Sequence, residues 1–532
     1  MEVTRRNFVA GTAAAAATVA VAATGASADE AAQTSTTARW SWEVKPEPIA
    51  DADIAETIEC DICIVGAGVS GNPAALYAAT HGLNTVVLQK SDKARVNGQS
   101  YGAWNSSLAE EYGVGGCDIT AEMQKFAENI GSGKSNLKLV RTVLEQTGPA
   151  IEWLTGIVTE PAPTMKGIEG THVMYQWLID GDQATRYAGF MDFFDNITAA
   201  AQEAGASYHF NTPAVQLVQA DDGAVTGVIG QQEDGSYVKV CPSMGVILCT
   251  GDISDDEELV EAFAPTMIGV PSGHALECNT GDGLKMGMWV GAAYDDATSG
   301  LQMHISPTKL PRGMAPFAGV PWLHVNLKGK RFTNENVGFQ ALSTAISNQP
   351  EACAWQIVDS HLLEHAADYT NGGRPGNADS LAAGIESGTV LTADTLEELA
   401  DAMEFDADAK ANFLATVERY NELVDGGEDL DYSVDTAVFG WNGIKDAPFY
   451  AMEYQPARLA SGPGLVCDDM LRVLNTEGEP ITGLYAAGYT QGSFFGYDYP
   501  VNGFGAFSNS HSVTGGILAV MSAAGTFGQA IE

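Results

Sequence analysis

The sequence predicts an α/β fold that begins with a Rossmann-like unit, and two observations near the N-terminus carry this prediction. The stretch Asp61–Gly71 starts as a short apolar strand, passes through a G-x-G-x-x-G turn and ends as the start of a helix. The helix continues through Pro73–Ala79, and a second apolar strand, Thr85–Leu88, follows at once. A strand, glycine turn, helix and strand within about thirty residues form the context in which this glycine pattern binds a dinucleotide.

Each glycine of the turn has a predicted role. Gly66 makes the tight turn, Gly68 lets the backbone approach a pyrophosphate, and Gly71 lets the helix pack close against the strand. The helix N-terminus then offers unpaired N–H groups and a partial positive charge to the phosphates. A tight turn without a ligand is the alternative interpretation, but the flanking strands and helix favour the dinucleotide site.

The remaining elements follow from apolar periodicity and from glycine turns. In chain order they are a helix over Lys138–Leu154 that breaks near Gly148, a helix over Phe190–Glu203, a hairpin joining strands Ala214–Val218 and Val225–Ile229 through the turn Asp221–Gly223, a buried strand that starts at Gly245 and ends in a small-residue turn at Asp252, a helix opened by Asn279–Gly283, a strand over Ile481–Gly488 and a closing helix over Phe507–Ala524.

Composition narrows the classes of partner. The chain has 532 residues, and its 26 basic and 68 acidic side chains give a net charge of −42. Such a polyanion repels nucleic acid and anionic lipid, so neither is expected as a partner. Solubility is the simplest interpretation of the charge. An acidic surface that docks a basic electron-transfer protein is the functional alternative.

The N-terminus predicts export. A twin-arginine pair at Arg5 and Arg6 precedes an alanine-rich apolar run from Val9 to Ala23, and Ala26–Ala28 has the small-x-small pattern of a cleavage site. We therefore predict a twin-arginine signal peptide over residues 1–28, a linker over 29–56, and a mature protein in the periplasm or at the cell surface. The twin-arginine route carries folded proteins, which suits a tightly bound dinucleotide.

The cysteines do not predict a metal site. Cys60 and Cys63 form a C-x-x-C, but both lie on the first strand, where alternate side chains face opposite ways. We interpret them as strand-core residues rather than as a metal or redox pair. No C-x-x-C-H occurs, so no covalent haem is expected. An iron–sulfur cluster built from dispersed cysteines is left open.

Several motifs in this order resemble one family. The motifs are Gly66–Gly71, Val246–Gly251, Thr280–Gly283, Leu301–His304, Gly329–Glu335 and Gly483–Gly488. Together they resemble the FAD-dependent fumarate and urocanate reductases, with succinate dehydrogenase flavoproteins and ketosteroid dehydrogenases as relatives. The resemblance covers nearly the whole mature chain. The plan of signal, FAD domain and cap is also similar to that of exported actinobacterial reductases of cardiac glycosides.

The resemblance implies a domain plan and a set of cofactor residues. A Rossmann-like FAD-binding domain would be formed by two segments, 57–303 and 447–532, with an α+β capping domain over 304–446 inserted between them. The residues that would hold FAD are Gly66, Ala67, Gly68, Gly71, Gln89, Ser100, Val215, Asp282, Tyr489, Phe507 and Ser508. Gln89 and Tyr489 both stand where the family usually has a Glu.

The expected active site departs from that of the fumarate reductases. His304 is retained in a Gln-x-His context, but Phe339 stands where the family's proton-donating Arg is expected. Asn502 lies near the position of the Arg that clamps a carboxylate. The family's late substrate-binding His aligns with Leu459 and Ala460. Losing this His and the clamping Arg removes the bidentate recognition that a small dianion requires, which argues against fumarate or succinate as substrate.

The segment from Phe494 to Gly503 instead resembles the ketosteroid dehydrogenases. There a Tyr and a backbone N–H four residues further on hold a carbonyl oxygen, and here those groups would be Tyr499 and Gly503. Neighbouring aromatic side chains would stack on an uncharged substrate. Tyr497, Tyr499 and His304 are candidate proton donors. The alternative interpretation is a glycine-rich turn with aromatic core packing.

These features predict an FAD-dependent reductase of an activated C=C bond in an unsaturated carbonyl compound, such as an enone, an unsaturated lactone or an acrylate-type acid. A cardiac glycoside is one example of the lactone class. Since only one dinucleotide fingerprint is clear, electrons are expected from a membrane-associated c-type cytochrome or a similar donor. Two alternatives stay open: a ketosteroid dehydrogenase that works in the oxidative direction, and a non-catalytic electron-transfer flavoprotein.

Overall fold

The structure is a computed structural model that describes residues 39–96, 98–128, 133–181, 185–272, 278–295, 300–307, 317, 320–368, 376–435, 442–496 and 503–532. The chain divides into two compact units, Met1–Val44 and Lys45–Glu532. The described part of the first unit contains a 3-10 turn over Ser41–Glu43. The Glu43 carboxylate accepts the backbone N–H groups of Arg39 and Trp40, at 2.6 and 3.1 Å. All elements below belong to the second unit.

The strands of the second unit are β1 Ile54–Val65, β2 Thr85–Leu88, β3 Ser100–Trp104, β4 Pro163–Glu169, β5 His172–Trp177, β6 Ser207–His209, β7 Ala214–Gln219, β8 Val225–Gln231, β9 Tyr237–Leu248, β10 Gly300–Pro307, β11 Leu323–Asn326, β12 Ala354–Val358, β13 Val390–Ala393, β14 Phe449–Ser461, β15 Arg472–Leu474 and β16 Pro480–Ala486.

The α-helices are α1 Gly71–Thr80, α2 Ser107–Glu111, α3 Ile119–Phe126, α4 Leu137–Ile157, α5 Arg186–Glu203, α6 Glu257–Phe263, α7 Asp282–Trp289, α8 Phe339–Ser347, α9 Leu362–Asp368, α10 Ala378–Ser387, α11 Leu396–Ala402, α12 Ala407–Gly426 and α13 Phe507–Ala523. Shorter 3-10 turns occupy Asp51–Asp53, Pro265–Met267, Pro350–Ala352 and Gly488–Thr490.

The largest sheet is the predicted Rossmann-like sheet. Its main order is β15-β16-β9-β1-β2-β6. In addition, β8 pairs with β9, and β7 pairs with β8. β1 runs parallel to both β2 and β9, so that Cys63 lies beside Val86 and Val246. The second half of β1 is buried on both faces, as strands of a covered parallel sheet are. The α/β prediction is confirmed, and β1, α1 and β2 follow in the predicted order with the predicted bounds of β2.

A second, five-stranded antiparallel sheet is formed later in the chain. Its order is β10-β14-β12-β11, with β13 also paired to β14. The chain between β10 and β14 contains α8 to α12 as well, which gives this part the α+β character expected of the cap. β10 begins before residue 304 and β14 lies after residue 446, so both ends of the insertion are strands of this sheet. The predicted domain ranges stay a prediction.

A three-stranded sheet of order β3-β5-β4 lies in the first segment, and its strands are antiparallel. β3 packs against α4 and α13. The start of the last helix is therefore brought beside a strand that lies some four hundred residues earlier in the chain.

One predicted boundary is wrong. The break expected near Gly148 does not occur, since α4 runs without interruption from Leu137 to Ile157 with Pro149 inside it. Proline removes one backbone hydrogen bond and costs about 3 kcal/mol in a helix interior. Both halves of the helix bury large apolar side chains, among them Val143 and Ile151, each of which is worth roughly 1.5–3 kcal/mol. Burial on both sides of the proline outweighs its local cost.

The eight cysteines are free thiols. Cys60 and Cys63 are both buried in β1, as the strand-core interpretation predicts. Burial raises the pKa of the Cys60 thiol to about 12, so it is protonated at neutral pH. Among the described residues, no group of three or more His, Cys, Asp and Glu side chains is placed to hold a metal ion. Nor does any helix in that part of the chain combine the length and apolar character needed to cross a membrane.

Candidate active site

The glycine turn between β1 and α1 has the predicted local geometry. Gly66 has φ +97°, and a Cβ atom there would overlap the carbonyl oxygen of Cys249, the first residue after the neighbouring strand β9. A Cβ atom at Gly71 would overlap the carbonyl oxygen of Gly66. Both positions therefore require glycine for the packing of the protein itself.

Gly68 differs from the other two glycines. A Cβ atom there would meet only the carbonyl oxygen of Arg95, at 3.7 Å, which is an ordinary van der Waals distance. Protein packing thus gives no reason for glycine at position 68. The open space lies at the N-terminus of the ten-residue helix α1, where N–H groups and the helix dipole favour an anion. This cradle fits a pyrophosphate.

Gln89 follows β2 and reaches across to the glycine turn. It is buried, and its Oε1 accepts the backbone N–H of Ala67 at 2.8 Å. Its Nε2 donates to the hydroxyl of Ser91. The amide therefore ties the end of the second strand to the turn, an arrangement that uses the donor and the acceptor of the uncharged side chain together.

Lys90 is a residue that sequence reasoning missed. Its Nζ lies 2.9 Å from Oδ2 of Asp282 and 2.8 Å from the hydroxyl of Thr280. The Thr280 hydroxyl in turn donates to Oδ1 of Asp282 at 2.8 Å. Both carboxylate oxygens of the predicted cofactor residue are held, and the end of β2 is joined to the start of α7. The partners lie about 190 positions apart in the chain, so no local pattern indicates the pair.

Two further predicted cofactor residues meet at the start of α13. The hydroxyls of Tyr489 and Ser508 lie 2.8 Å apart. Ser70, the residue before α1, touches both neighbouring elements: a Cβ atom at Gly488 would lie 2.8 Å from its hydroxyl, and one at Gly516 would overlap its carbonyl oxygen. The start of α1, the turn after β16 and the helix α13 thus converge on one place.

Three other predicted cofactor residues lie in β3, α13 and β7. Ser100 begins β3, and its carbonyl oxygen accepts from Nδ2 of Asn509 in α13 at 2.9 Å. Phe507 is fully buried at the first position of α13. Val215 is half-buried in β7, a strand that joins the main sheet through β8. No contact among the described residues assigns Val215 a role.

The structure describes only some of the candidate catalytic residues. Tyr497 and Tyr499 lie outside the described residues. The backbone of His304 is in β10 opposite Ala457 of β14, and its side chain is outside the described part. Gly503 is exposed and has φ +86°, in the turn that leads into α13.

Comparison with known proteins then decides the family. The model of the FAD binding domain family matches residues 61–505. The chain belongs to this family. The Rossmann-like FAD-binding fold and the FAD cofactor predicted from the motifs are confirmed.

Named relatives of this FAD-binding protein include reductases and a dehydrogenase. The probable fumarate reductase Ifc3 of Shewanella frigidimarina is 26% identical over 485 residues, covering 86% of this chain and 77% of that protein. The vinyl phenol reductase of Lactiplantibacillus plantarum is 27% identical and covers 83% and 92%. The 3-oxosteroid 1-dehydrogenase of Mycolicibacterium smegmatis is 26% identical and covers 88% and 98%. The chain is an FAD-dependent oxidoreductase acting on CH–CH groups, as predicted.

Solved structures share the fold. The open conformation of a flavocytochrome c3 fumarate reductase superposes with a TM-score of 0.69 at 24% identity, over 92% of this chain and 83% of that one. The 3-ketosteroid-Δ4-(5α)-dehydrogenase of Rhodococcus jostii RHA1 gives 0.67 at 22% identity, over 90% and 99%.

The residues of the FAD-binding domain fit the cofactor. The open cradle at Gly68 suits the pyrophosphate, and the start of α13 beside Tyr489 and Ser508 offers a second set of hydroxyl and N–H groups. Bound FAD supplies two-electron redox chemistry at its ring. The polypeptide supplies the cradle, and the individual cofactor assignments stay predictions.

Phe494 and Phe495 do not form an open stacking surface. Both are buried, and they pack against Phe126 and Phe507 with ring centroids 5.6–6.5 Å apart. His511 also packs on Phe494, at 4.1 Å. For these two phenylalanines the interpretation as aromatic core packing is the one that the structure supports.

Arg331 lies in the cap and forms a buried network. Its guanidinium donates to both carboxylate oxygens of Glu335, at 2.8 and 2.6 Å, and to both of Asp429, at 3.0 and 2.8 Å. Burial raises the pKa of Glu335 despite this contact. Burial acts in the same direction on Asp429, but Arg331 and the backbone N–H groups of Val434 and Tyr432 hold its pKa below the usual value. Arg331 and Glu335 both lie in the motif Gly329–Glu335, whereas Asp429 lies 98 positions further along the chain and no local pattern indicates it.

Proposed function

We propose that this oxidoreductase reduces an activated C=C bond in an unsaturated carbonyl compound: an enone, an unsaturated lactone such as a cardiac glycoside, or an acrylate-type acid. The observation that carries the proposal is the turn at Gly503. It is exposed, it has a left-handed backbone, and it stands a few residues before Ser508, which pairs with Tyr489 in the cofactor cradle. The relatives named as fumarate reductase and vinyl phenol reductase support reduction of a C=C bond.

The proposed chemistry assigns a task to each side chain. Reduced FAD held in the cradle would supply the hydride chemistry, and the chain's own groups would stabilise the charge that hydride addition at the β-carbon creates on the substrate. The electron pair of the C=C bond then moves to the carbonyl oxygen, where the Tyr499 hydroxyl and the Gly503 N–H donate hydrogen bonds to the enolate. Each such donor is worth about 3–4 kcal/mol in the transition state. A proton from Tyr497, Tyr499, His304 or water completes the saturated product at the α-carbon.

The proposal excludes small dicarboxylates as the preferred substrate. By the family resemblance, Phe339 stands where an Arg protonates fumarate, and Asn502 stands near the position of the Arg that clamps its carboxylate. Phe339 begins helix α8, and Asn502 lies outside the described residues. A phenylalanine and an amide supply no bidentate, charged contact to a carboxylate.

The electron donor and the location form part of the same proposal. The predicted twin-arginine signal over residues 1–28 would place the protein in the periplasm or at the cell surface. There a membrane-associated c-type cytochrome, or a similar carrier, would reduce the flavin. The net charge of −42 supports a basic carrier, because opposite charges speed the encounter of two proteins at low ionic strength.

A second candidate function is dehydrogenation of a saturated ketosteroid. The relative named 3-oxosteroid 1-dehydrogenase is matched over 98% of its length, and the spacing of Tyr499 and Gly503 suits both directions. The same two donors would stabilise the same enolate when it forms from the saturated ketone. The direction is therefore decided by kinetics and by the electron donor.

The test is an acceptor panel under anaerobic conditions. Purified holoprotein is reduced with dithionite and mixed with an enone, an unsaturated lactone, an acrylate or fumarate, while flavin absorbance is followed. We expect rapid reoxidation by at least one of the enone, the unsaturated lactone and the acrylate, and slow reoxidation by fumarate. Bleaching of the oxidised holoprotein by saturated 3-ketosteroids, without any reoxidation of the reduced holoprotein by enones, would support the dehydrogenase. A reduced flavin that no compound reoxidises would support a non-catalytic electron carrier.

A further inference from the structure

We propose that His172 is a positioning residue for the Gly503 N–H, because it anchors the turn that carries this group. The inference rests on the proposed function of Gly503. His172 is fully buried in β5, and its Nε2 lies 3.1 Å from the carbonyl oxygen of Gly505. A carbonyl oxygen only accepts, so Nε2 carries the proton and donates it. The anchored peptide is two residues from Gly503.

The imidazole has one orientation. It stacks on the indole of Trp104 with a centroid distance of 3.8 Å and an interplanar angle of 16°. The two residues face each other across the β3–β5 pair, and both are fully buried. A ring held between a sheet neighbour and a backbone carbonyl cannot move without opening this part of the core.

The same strand pair touches the turn through its backbone. A Cβ atom at Gly102 of β3 would lie 2.6 Å from the Gly505 carbonyl oxygen and 3.2 Å from the ring of His172. The Gly102 N–H donates to the hydroxyl of Ser510 in the first turns of α13, at 2.7 Å. β3 and β5 therefore hold the Gly505 carbonyl and the helix that follows it.

The turn needs such support because Ala506 is strained. Gly503 adopts φ +86° without cost because it has no side chain, but Ala506, which has one, has φ +59°. A non-glycine residue in the left-handed region costs on the order of 1 kcal/mol and persists only where its surroundings over-determine it. The His172 bond and the close approach of Gly102 supply that constraint. Without them the turn relaxes, and the Gly503 N–H moves away from the position of the developing oxyanion.

A pair of substitutions separates the hydrogen bond from the ring. His172→Phe keeps a flat ring on Trp104 but removes the donor, whereas His172→Gln keeps a donor and removes the ring. His324→Phe is the matched control, since His324 is also fully buried and its Nδ1 donates to a backbone carbonyl, that of Trp322, at 2.9 Å. His324 lies in the five-stranded sheet, in β11.

Two oxidants of the reduced holoprotein distinguish positioning from folding. Reoxidation by 2-cyclohexenone requires the oxygen to be held, whereas ferricyanide takes electrons without it. For His172→Phe we expect the enone rate constant to fall about tenfold, less than the 10²–10³ lost with an oxyanion donor itself, while the ferricyanide rate stays unchanged. His172→Gln should recover most of the enone rate, and His324→Phe should leave both rates unchanged.

Several results would overturn the inference. An unchanged enone rate in His172→Phe, or a fall of both rates together, would show that His172 has a structural role only. If His172→Phe is not recovered with FAD, Gly102→Ala takes its place, with Gly167→Ala in β4 as control because a Cβ atom there meets only Met174, at 3.6 Å. Gly102→Ala should lower the enone rate alone. A wild-type flavin that ferricyanide reoxidises but no enone does would overturn the proposed function, and this inference with it.

Discussion

Two glycines of the same turn should respond to alanine in opposite ways. At Gly71 a Cβ atom would overlap the carbonyl oxygen of Gly66, a backbone atom that has no rotamer to yield, whereas at Gly68 it meets only Arg95, at 3.7 Å. Gly71→Ala should therefore destabilise the apoprotein by about 3 kcal/mol or more, the range of a forced backbone shift in a packed core. Gly68→Ala should change the apoprotein by less than about 0.5 kcal/mol.

For FAD binding, in contrast to stability, the larger effect is expected at Gly68→Ala. The methyl group of Gly68→Ala fills the space next to the helix N-terminus and displaces the pyrophosphate from one of its N–H donors. One charge-assisted hydrogen bond is worth about 1.5–3 kcal/mol, so the Kd for FAD should rise roughly tenfold to a hundredfold. The assay is thermal unfolding of the apoprotein followed by titration with FAD, read by quenching of flavin fluorescence.

This reasoning would be refuted by either of two results. One is a Gly68→Ala apoprotein that binds FAD as tightly as the wild type. The other is a Gly71→Ala apoprotein that unfolds at the wild-type temperature. A loss of FAD binding in Gly68→Ala together with a large loss of apoprotein stability would also contradict it, because the cradle would then be part of the packing.

Three further predictions concern charged side chains. Arg331→Met leaves the buried carboxylates of Glu335 and Asp429 uncompensated and should cost about 3–5 kcal/mol in a urea titration, so an unchanged midpoint would contradict the network. Burial lowers the pKa of His324 and of His511 from 6.5 to about 4. Below pH 6.5 the unfolded state therefore binds more protons than the folded state, and the protein loses stability as the pH is lowered. Between pH 7.5 and 5 the loss should be about 2 kcal/mol for each histidine, and His324→Phe should remove its share, whereas an undiminished loss would contradict the assignment. Lys90→Met should weaken FAD binding about threefold to fivefold with less than about 1 kcal/mol lost in stability, and an unchanged Kd would show that the lysine does not organise the cofactor site.

Local pattern was enough to predict the β1–α1–β2 segment of the Rossmann-like sheet. β1, α1 and β2 could be predicted closely because the strand, the glycine turn and the helix are each encoded within a few adjacent residues. The continuous helix α4 could not, since its tolerance of Pro149 depends on apolar neighbours from β3 and α13. Local propensity is overridden by tertiary packing at such a position.

Long-range pairs in the candidate site were predicted only where spacing or family motif indicated them. Arg331 and Glu335 lie in one family motif, Gly329–Glu335, whereas Asp429 lies 98 positions from Arg331 and has no local signal. Lys90 and Asp282 lie 192 positions apart, so their pairing also has no local signal. The anchoring of Gly505 by His172 joins positions 333 residues apart and becomes visible only once β3 and β5 are packed against the start of α13.

The central claim is that this flavoprotein reduces unsaturated carbonyl compounds with Tyr499 and Gly503 as oxygen-binding groups. The most direct measurement compares reoxidation of the reduced wild-type and Tyr499→Phe holoproteins by the same enone and by ferricyanide, under anaerobic conditions. The account predicts an enone rate constant at least about tenfold lower in Tyr499→Phe, with an unchanged ferricyanide rate. An equal enone rate in the two proteins, or reoxidation of the wild type by fumarate alone, would contradict it.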